Sequence, residues 1–300
     1  MTRYALAVDV GGTKLEAALV ADDGTLVEGS RTRRPTGRSA TPASLDAAVA
    51  EAVAHALAAR PADAEIAGAG IGSAGPVDRE AGTISPVNMP DARGYGLAAA
   101  VRRAASAVLG HDLPAVLGHD GGALALAESW LGATRGARAS LSIVVSTGVG
   151  GGFVLGGAYA PGASGNAGHL GQVRREGGLT LEEIASGPAS VAWARTQGWQ
   201  GATGEDLAMD AAAGVAVARA AIERSAKAVG EALADAATLV DLDVIAVGGG
   251  FSRVSDDYVE LVQRALTASA VHDYSRRARV VRSGLGDEGP LIGAAALALR

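Results

Sequence analysis

Three apolar, strand-like runs in this 300-residue chain end in glycine-rich loops, and that repeat limits the fold more than any other feature. Residues 5–10 run into Gly11-Gly12-Thr13-Lys14, residues 140–145 into Ser146-Thr147-Gly148-Val149-Gly150-Gly151-Gly152, and residues 244–247 into Gly248-Gly249-Gly250-Phe251-Ser252. Glycine lets backbone N–H groups approach a ligand closely, and α/β proteins bind ligands at the carboxyl ends of their strands. Between the loops, residues 47–59, 97–109, 123–131, 208–239 and 291–299 are Ala-rich and poor in breakers, so they read as helices. Residues 66–71, 115–117 and 279–281 add strands, while 15–20 and 25–27 continue the first strand as an antiparallel meander. Strand, glycine loop and strand recur in the two halves, which predicts a duplicated α/β architecture.

Length alone suggests about two domains. The boundary is expected near Gly118, giving units 1–118 and 119–300, with a C-terminal helix at 289–300 able to pack back on the first half. Composition then removes several classes of function. With 26 basic against 32 acidic residues the chain carries a net charge of -6, so it lacks the basic footprint of a nucleic-acid binder. Aromatic content of 3% leaves little for base stacking. No cysteine is present, which excludes disulfides, thiolate zinc sites and a thiol nucleophile. No apolar stretch approaches the ~20 residues of a membrane span, and no leader-like segment opens the chain. A cytoplasmic protein without membrane or nucleic-acid partners is the expectation.

The first loop has the chemistry of a phosphate cradle. Gly11 and Gly12 expose amide donors, Thr13 adds a hydroxyl, Lys14 a point charge, and Asp9 can hold Mg2+ directly or through water. A tight hairpin with an exposed Asp and Lys explains the same residues. Neither the second loop (Thr147, Gly148, Gly150) nor the third (Gly248, Gly249, Gly250) has Rossmann or Walker spacing, so nicotinamide enzymes and P-loop NTPases are disfavoured.

Taken together, these motifs resemble the actin-like sugar kinases. Asp9-Val10-Gly11-Gly12-Thr13-Lys14 is similar to their first phosphate motif and residues 147–152 to the second. Gly162-Ala163-Ser164-Gly165-Asn166-Ala167-Gly168-His169-Leu170-Gly171-Gln172 falls where the ROK family carries its signature, and 184–187 and 286–295 also fit. The resemblance runs in order along essentially the whole chain. It implies a two-lobed actin-like (ribonuclease H-like) ATPase fold, with duplicated mixed-sheet domains and the active site in the interdomain cleft. It also implies ATP and Mg2+ as cofactors, and a homodimer.

Residue by residue, the resemblance implies that Asp120, in Gly118-His119-Asp120-Gly121-Gly122, is the general base for a sugar hydroxyl; helix N-capping is its alternative role. Asn88 corresponds to a sugar-binding Asn, or is simply a turn residue before Pro90. Glu182 matches a Glu that reaches toward the sugar, or is a solvated helix charge beside Glu183. Gly75 lets the chain pass close to the substrate.

Departures from the family pattern carry their own message. His119 stands where Asn usually precedes the base, and His169 and Gln172 stand where the signature has Glu and His. Val173, Arg175 and Thr180 replace three zinc-binding Cys, so no zinc is expected. Exchanging a bidentate hydroxyl acceptor for an imidazole changes which ligands a pocket rejects. The acceptor is therefore expected to be an unusual hexose, an amino sugar or a C7-cyclitol, with glucose or fructose as the ordinary alternative and two incidental histidines as the bland one. A ligand-sensing repressor would carry a winged helix before the first strand, but only eight residues precede Asp9. A non-catalytic sugar-binding homologue is disfavoured by the retained Asp9, Asp120 and phosphate loops.

Overall fold

In the computed structural model, which describes residues 2–300, β1 (Arg3–Val10) and β2 (Lys14–Ala21) form an antiparallel hairpin that places Asp9 opposite Glu16. Both strands are apolar almost without alternation and buried along nearly their full length, the pattern of a sheet covered on both faces. β3 (Thr32–Pro35) pairs antiparallel with β2, and β4 (Glu65–Ser73) parallel with β1. A small hairpin, β5 (Val77–Asp78) with β6 (Thr83–Ile84), precedes β7 (Ala115–His119), which pairs parallel with β4. The sheet order is β3-β2-β1-β4-β7.

Each face of that sheet has its own cover. Leu6, Val8 and Val10 pack with α1 (Pro42–Ala58) and α2 (Leu97–Leu109). Ala5 and Ala7, on the opposite face, meet Leu291, Ala294 and Ala295 of the C-terminal helix, Gly289–Leu299. That second face is lined with small residues because the helix comes close: a Cβ at Gly70 would lie 1.7 Å from the Ala294 carbonyl oxygen. Asp9 has the same parity as Ala5 and Ala7 and so points to this face, where α3 (Asp120–Trp130) also lies, with Ala123 beside Gly72.

A second unit repeats the plan. β8 (Ala139–Val145) and β9 (Val149–Leu155) form a hairpin extended at its edge by β10 (Ala158–Tyr159). β11 (Val244–Gly248) and β12 (Arg279–Arg282) add in parallel, giving the order β10-β9-β8-β11-β12. Hairpin, edge strand and two parallel strands thus occupy equivalent places in both sheets, as duplication predicts. Around this sheet lie α4 (Leu181–Ala185), α5 (Gly187–Thr196), α6 (Gly204–Ala212), α7 (Ala216–Val240), α8 (Tyr258–Ser269) and α9 (Asp273–Arg276). Its core runs from Leu141 and Ile143 through Ile222, Val229 and Leu233 of α7 to Tyr258 and Leu266 of α8. Among the described residues no helix is long and apolar enough to cross a membrane.

Several expectations are corrected. The boundary expected at Gly118 lies inside the first unit, which comprises residues up to Leu131 together with Tyr159–Ala167 and Leu285–Arg300; the second is Gly132–Ala158 with Gly168–Gly284. The reason is long-range pairing: β7 adds to β4, His119 opposite Ser73, and α3 follows directly. Residues 25–27 make only a single bridge, Val20 to Leu26, and the meander's third strand is β3. The helix expected at 208–239 is two, since α6 ends before Gly214, whose φ is +86°, and α7 begins at Ala216.

Candidate active site

In the first unit, the end of β1 and the start of α3 bring two carboxylates into each other's field. Asp9 is 7% exposed. Burial, reinforced by the charge of Asp120, pushes its carboxyl up from 3.8 to about 7; Lys14 pulls the other way and Glu16 adds a smaller upward push. Asp120 is the first residue of α3, where the helix dipole favours negative charge. The Gly121 N–H donates to Asp120 Oδ1 at 2.7 Å, and His119 Nε2 lies 3.1 Å from the same oxygen. The Asp120 side chain is 45% exposed while that of His119 is 4% exposed. The carboxylate is therefore reachable from solvent, and the imidazole sits behind it as a brace.

The first glycine loop closes on itself through Gly11 N–H to the Lys14 carbonyl at 2.9 Å. Gly12 owes its lack of a side chain to Asn88: a Cβ there would fall 1.6 Å from Asn88 Nδ2. Asn88 itself is exposed, as is Thr13, while Gly75 is half-buried. Lys14 donates to Glu16, a buried carboxylate that Arg31 and Arg33 also reach, each through Nη2 at 3.0 Å. Burial alone would raise the Glu16 carboxyl, but hydrogen bonds from Lys14, Arg33 and Arg31 hold it below the ordinary range. Lys14 is therefore tethered beside the loop. Tyr159, which the sequence reading passed over, packs its ring against the first turn of α3. A Cβ at Gly122 would lie 2.0 Å from its hydroxyl, and burial raises the phenol's pKa.

The second unit holds the other two loops and the end of the signature segment, from Gly168 onward. The Val149 N–H of the second loop donates to Glu182 Oε2 at 2.8 Å, and Gln172 Nε2 reaches Glu182 Oε1 at 3.3 Å. Gly148 is small because a Cβ would lie 2.6 Å from Glu182 Oε2. Glu182 is thus occupied with loop backbone and Gln172. Gly168, at φ +107°, accepts from the Gly151 N–H at 3.0 Å, and a side chain there would strike the Gly151 carbonyl oxygen. This seats the half-buried His169 beside β9. Gly150 lies within β9 itself. In the third loop Gly249 has φ +95°, Gly248 meets Ser283, and Gly250 lies by the Ser146 hydroxyl.

Between the second and third loops opens a cavity of about 700 Å3, lined by Ser146, Thr147, Gly187, Thr203, Gly250 and Phe251 among others. That volume suits a nucleoside. α5 and α6 form its far wall; α5 and the start of α6 escaped the sequence reading, and the Ser186 cap before Gly187-Pro188 and the capping box at Thr203 were the signals that could have found them.

Where the family pattern has zinc ligands, hydrogen bonds take their place. Arg175 Nη1 pairs with Asp235 Oδ2 at 2.5 Å, Arg174 bridges Thr180, the Leu181 N–H donates to the Val173 carbonyl at 2.9 Å, and Thr180 caps α4. Among the described residues no group of three or more His, Asp or Glu side chains is placed to hold a metal ion. Mg2+ does not need one: it binds one or two carboxylates plus substrate phosphates and water. Asp9, a buried acid whose ionisation Lys14 only partly offsets, fits that role.

Comparison with known proteins agrees with this geometry. The family model described as ROK family matches residues 5–300. The Streptomyces coelicolor glucokinase is 30% identical over 98% of this chain and 96% of its own. An N-acetylmannosamine kinase of Escherichia fergusonii is 32% identical over 87% of each. Among solved structures, a ROK hexokinase from Thermus thermophilus has a TM-score of 0.80 at 30% identity, covering 98% of this chain and 97% of its own. A ROK family glucokinase from Streptomyces griseus, in complex with glucose and AMPPNP, has a TM-score of 0.78 at 28% identity, covering 97% and 98%. With the duplicated sheets, the glycine loops and a family match over nearly its full length, the chain belongs to the ROK family and has the actin-like fold of ROK sugar kinases.

Proposed function

We propose that the protein transfers the γ-phosphoryl group of ATP to a hydroxyl of a sugar-like polyol other than plain glucose, with Asp120 as general base. The observation that carries this is the state of Asp120: solvent-reachable, fixed by His119 and the Gly121 N–H, and beside an acid that stays largely protonated until about pH 7. A carboxylate held in one rotamer can take the hydroxyl proton as the oxygen attacks phosphorus. Asn88, lying over Gly12, orients the acceptor next to the first loop. Thr13 and the amides of Gly11 and Gly12 donate to phosphate oxygens, and Lys14 contributes positive charge there. In the second unit Thr147, Gly148 and Gly150 face the nucleotide phosphates, while the cavity behind Gly250 takes the adenosine. Mg2+ held by Asp9 would neutralise phosphate charge. A homodimer in the cytoplasm is part of this reading.

His169 and His119 set the acceptor class. The first stands where a bidentate acceptor for two hydroxyls would be, and the second holds the base from behind. Restoring the acceptor by His169→Glu is expected to raise kcat/KM for glucose about tenfold or more, because a site built for hydroxyl pairs discriminates strongly. Coupled ADP-release assays over hexoses, hexosamines and C7-cyclitols test the whole reading. It fails if no acceptor raises ADP release above the ATPase background. The ordinary glucokinase reading draws support from the glucokinase relatives, and it wins if glucose is the preferred acceptor of the unaltered protein.

Gly12→Ala gives a separate check. The new methyl overlaps the Asn88 amide, so Asn88 must swing away. KM for the acceptor should rise about tenfold, the loss of roughly one well-placed hydrogen bond. The Gly12→Ala/Asn88→Ala pair should resemble Asn88→Ala alone. Additive losses in steady-state kinetics would show that the two residues act independently.

A further inference from the structure

A larger cavity, about 1100 Å3, opens in the second unit at the other end of its sheet, where none of the proposed chemistry takes place. Its floor is the start of β8 at Ala139, of β11 at Val244 and of β12 at Arg279, whereas the glycine loops follow the ends of β8 and β11. Parallel pairing of these strands puts all three starts on one edge. Four arginines line it: Arg135 and Arg138 from the segment before β8, Arg277 and Arg279 from the segment entering β12. All four are exposed.

Among the described residues none of these four guanidiniums has a hydrogen-bond or ion-pair partner, whereas Arg34, Arg102, Arg103, Arg175 and Arg219 each reach a carboxylate. Two aspartates share the cavity wall. Asp243 is committed elsewhere, accepting the N–H groups of Arg138 at 2.9 Å and Ala139 at 3.2 Å through Oδ2. Asp241 ends α7 in the left-handed region at φ 57°. Tyr274 closes one side, fixed by its hydroxyl donating to the Thr238 carbonyl at 2.8 Å. Four cations against two aspartates in one concavity leave an excess of positive charge there, in a protein whose net charge is -6. Guanidinium forks match phosphate oxygens two at a time, and the volume is that of a small-molecule site. Concave shape and few aromatics argue against a nucleic acid.

We propose that this cavity binds a small, multivalent phosphate-bearing molecule at a site separate from the glycine loops. Titration calorimetry of inorganic tripolyphosphate into the full chain, in metal-free buffer at low salt, tests it. The result expected is a site of about one per chain that Arg138→Ala/Arg277→Ala weakens about tenfold or more, while AMPPNP·Mg2+ affinity and Tm stay unchanged. If the double variant loses its Tm, the single exposed change Arg277→Gln, which should weaken binding about threefold, takes its place. Absence of tripolyphosphate binding overturns the proposal. So does binding that the arginine variants retain, or binding that AMPPNP alone competes away. Failure of AMPPNP to bind either protein would count against the kinase reading but leave the arginine comparison intact.

Discussion

Asp120→Asn is expected to lower kcat by about 10²–10⁴-fold, the range that a positioned general base contributes. Asn keeps the size of the side chain and an oxygen for the Gly121 N–H, so the start of α3 should hold and KM for ATP should move little. In the proposed role Asp120 would act on the acceptor hydroxyl in the transition state, so kcat and kcat/KM should fall together. A second readout separates chemistry from structure. The charge of Asp120 helps hold the Asp9 carboxyl up, so in Asp120→Asn the Asp9 titration should move to lower pH, observable by carboxyl 13C NMR. Substantial activity with an unmoved Asp9 titration would remove Asp120 from both roles.

Asp9→Asn is expected to inactivate the enzyme and to stabilise the apoprotein. The carboxyl rises from 3.8 to about 7 on folding, so between those values the native state binds more protons than the unfolded chain. Stability then falls as pH rises through that window, and levels off above it. The full penalty is of order 4 kcal/mol at pH 8, with burial as its largest cause. Asn carries no charge and escapes it. The Tm of Asp9→Asn should exceed that of the unaltered protein by several degrees at pH 8, with a much smaller gap at pH 5. Thermal melts across pH 4–9 would decide this. A constant difference, or a variant less stable at pH 8, would mean that Asp9 is ionised at no cost in the folded apoprotein. Such a trade of stability for function is common at active sites.

How much of this could be read from residues alone varies with the range of the interaction. β1 and its loop were legible because an unbroken apolar run ends in Asp9-Val10-Gly11-Gly12, and both signals are local. α2 coincides with its sequence range, Leu97 to Leu109, because Gly96 and Gly110 flank an unbroken run of helix formers. α1 begins earlier than expected, since Thr41 caps it and Pro42 takes its first position, whereas attention to Ala placed the start at 47. The unit boundary was missed because β7 joins β4, a pairing that no local pattern encodes.

At the site, the asymmetry is similar. Asp9, Asp120 and the glycines stood out by motif. That Gly12 makes room for Asn88, that Gly148 makes room for Glu182, and that Glu182 receives the Val149 N–H are contacts between distant segments. The cluster of Lys14, Arg31 and Arg33 on the buried Glu16 needed the β2–β3 pairing to become visible. The Arg175–Asp235 pair likewise joins residues on two separate elements.

The most direct test of the account follows phosphorus itself. 31P NMR of the protein with ATP, Mg2+ and each member of a hexose, hexosamine and cyclitol panel would show whether a phosphate monoester forms, and on which acceptor. The account predicts one ester resonance growing in step with ADP on an acceptor other than glucose, and its absence with Asp120→Asn. Free phosphate alone, or an ester that forms equally fast with Asp120→Asn, would contradict it.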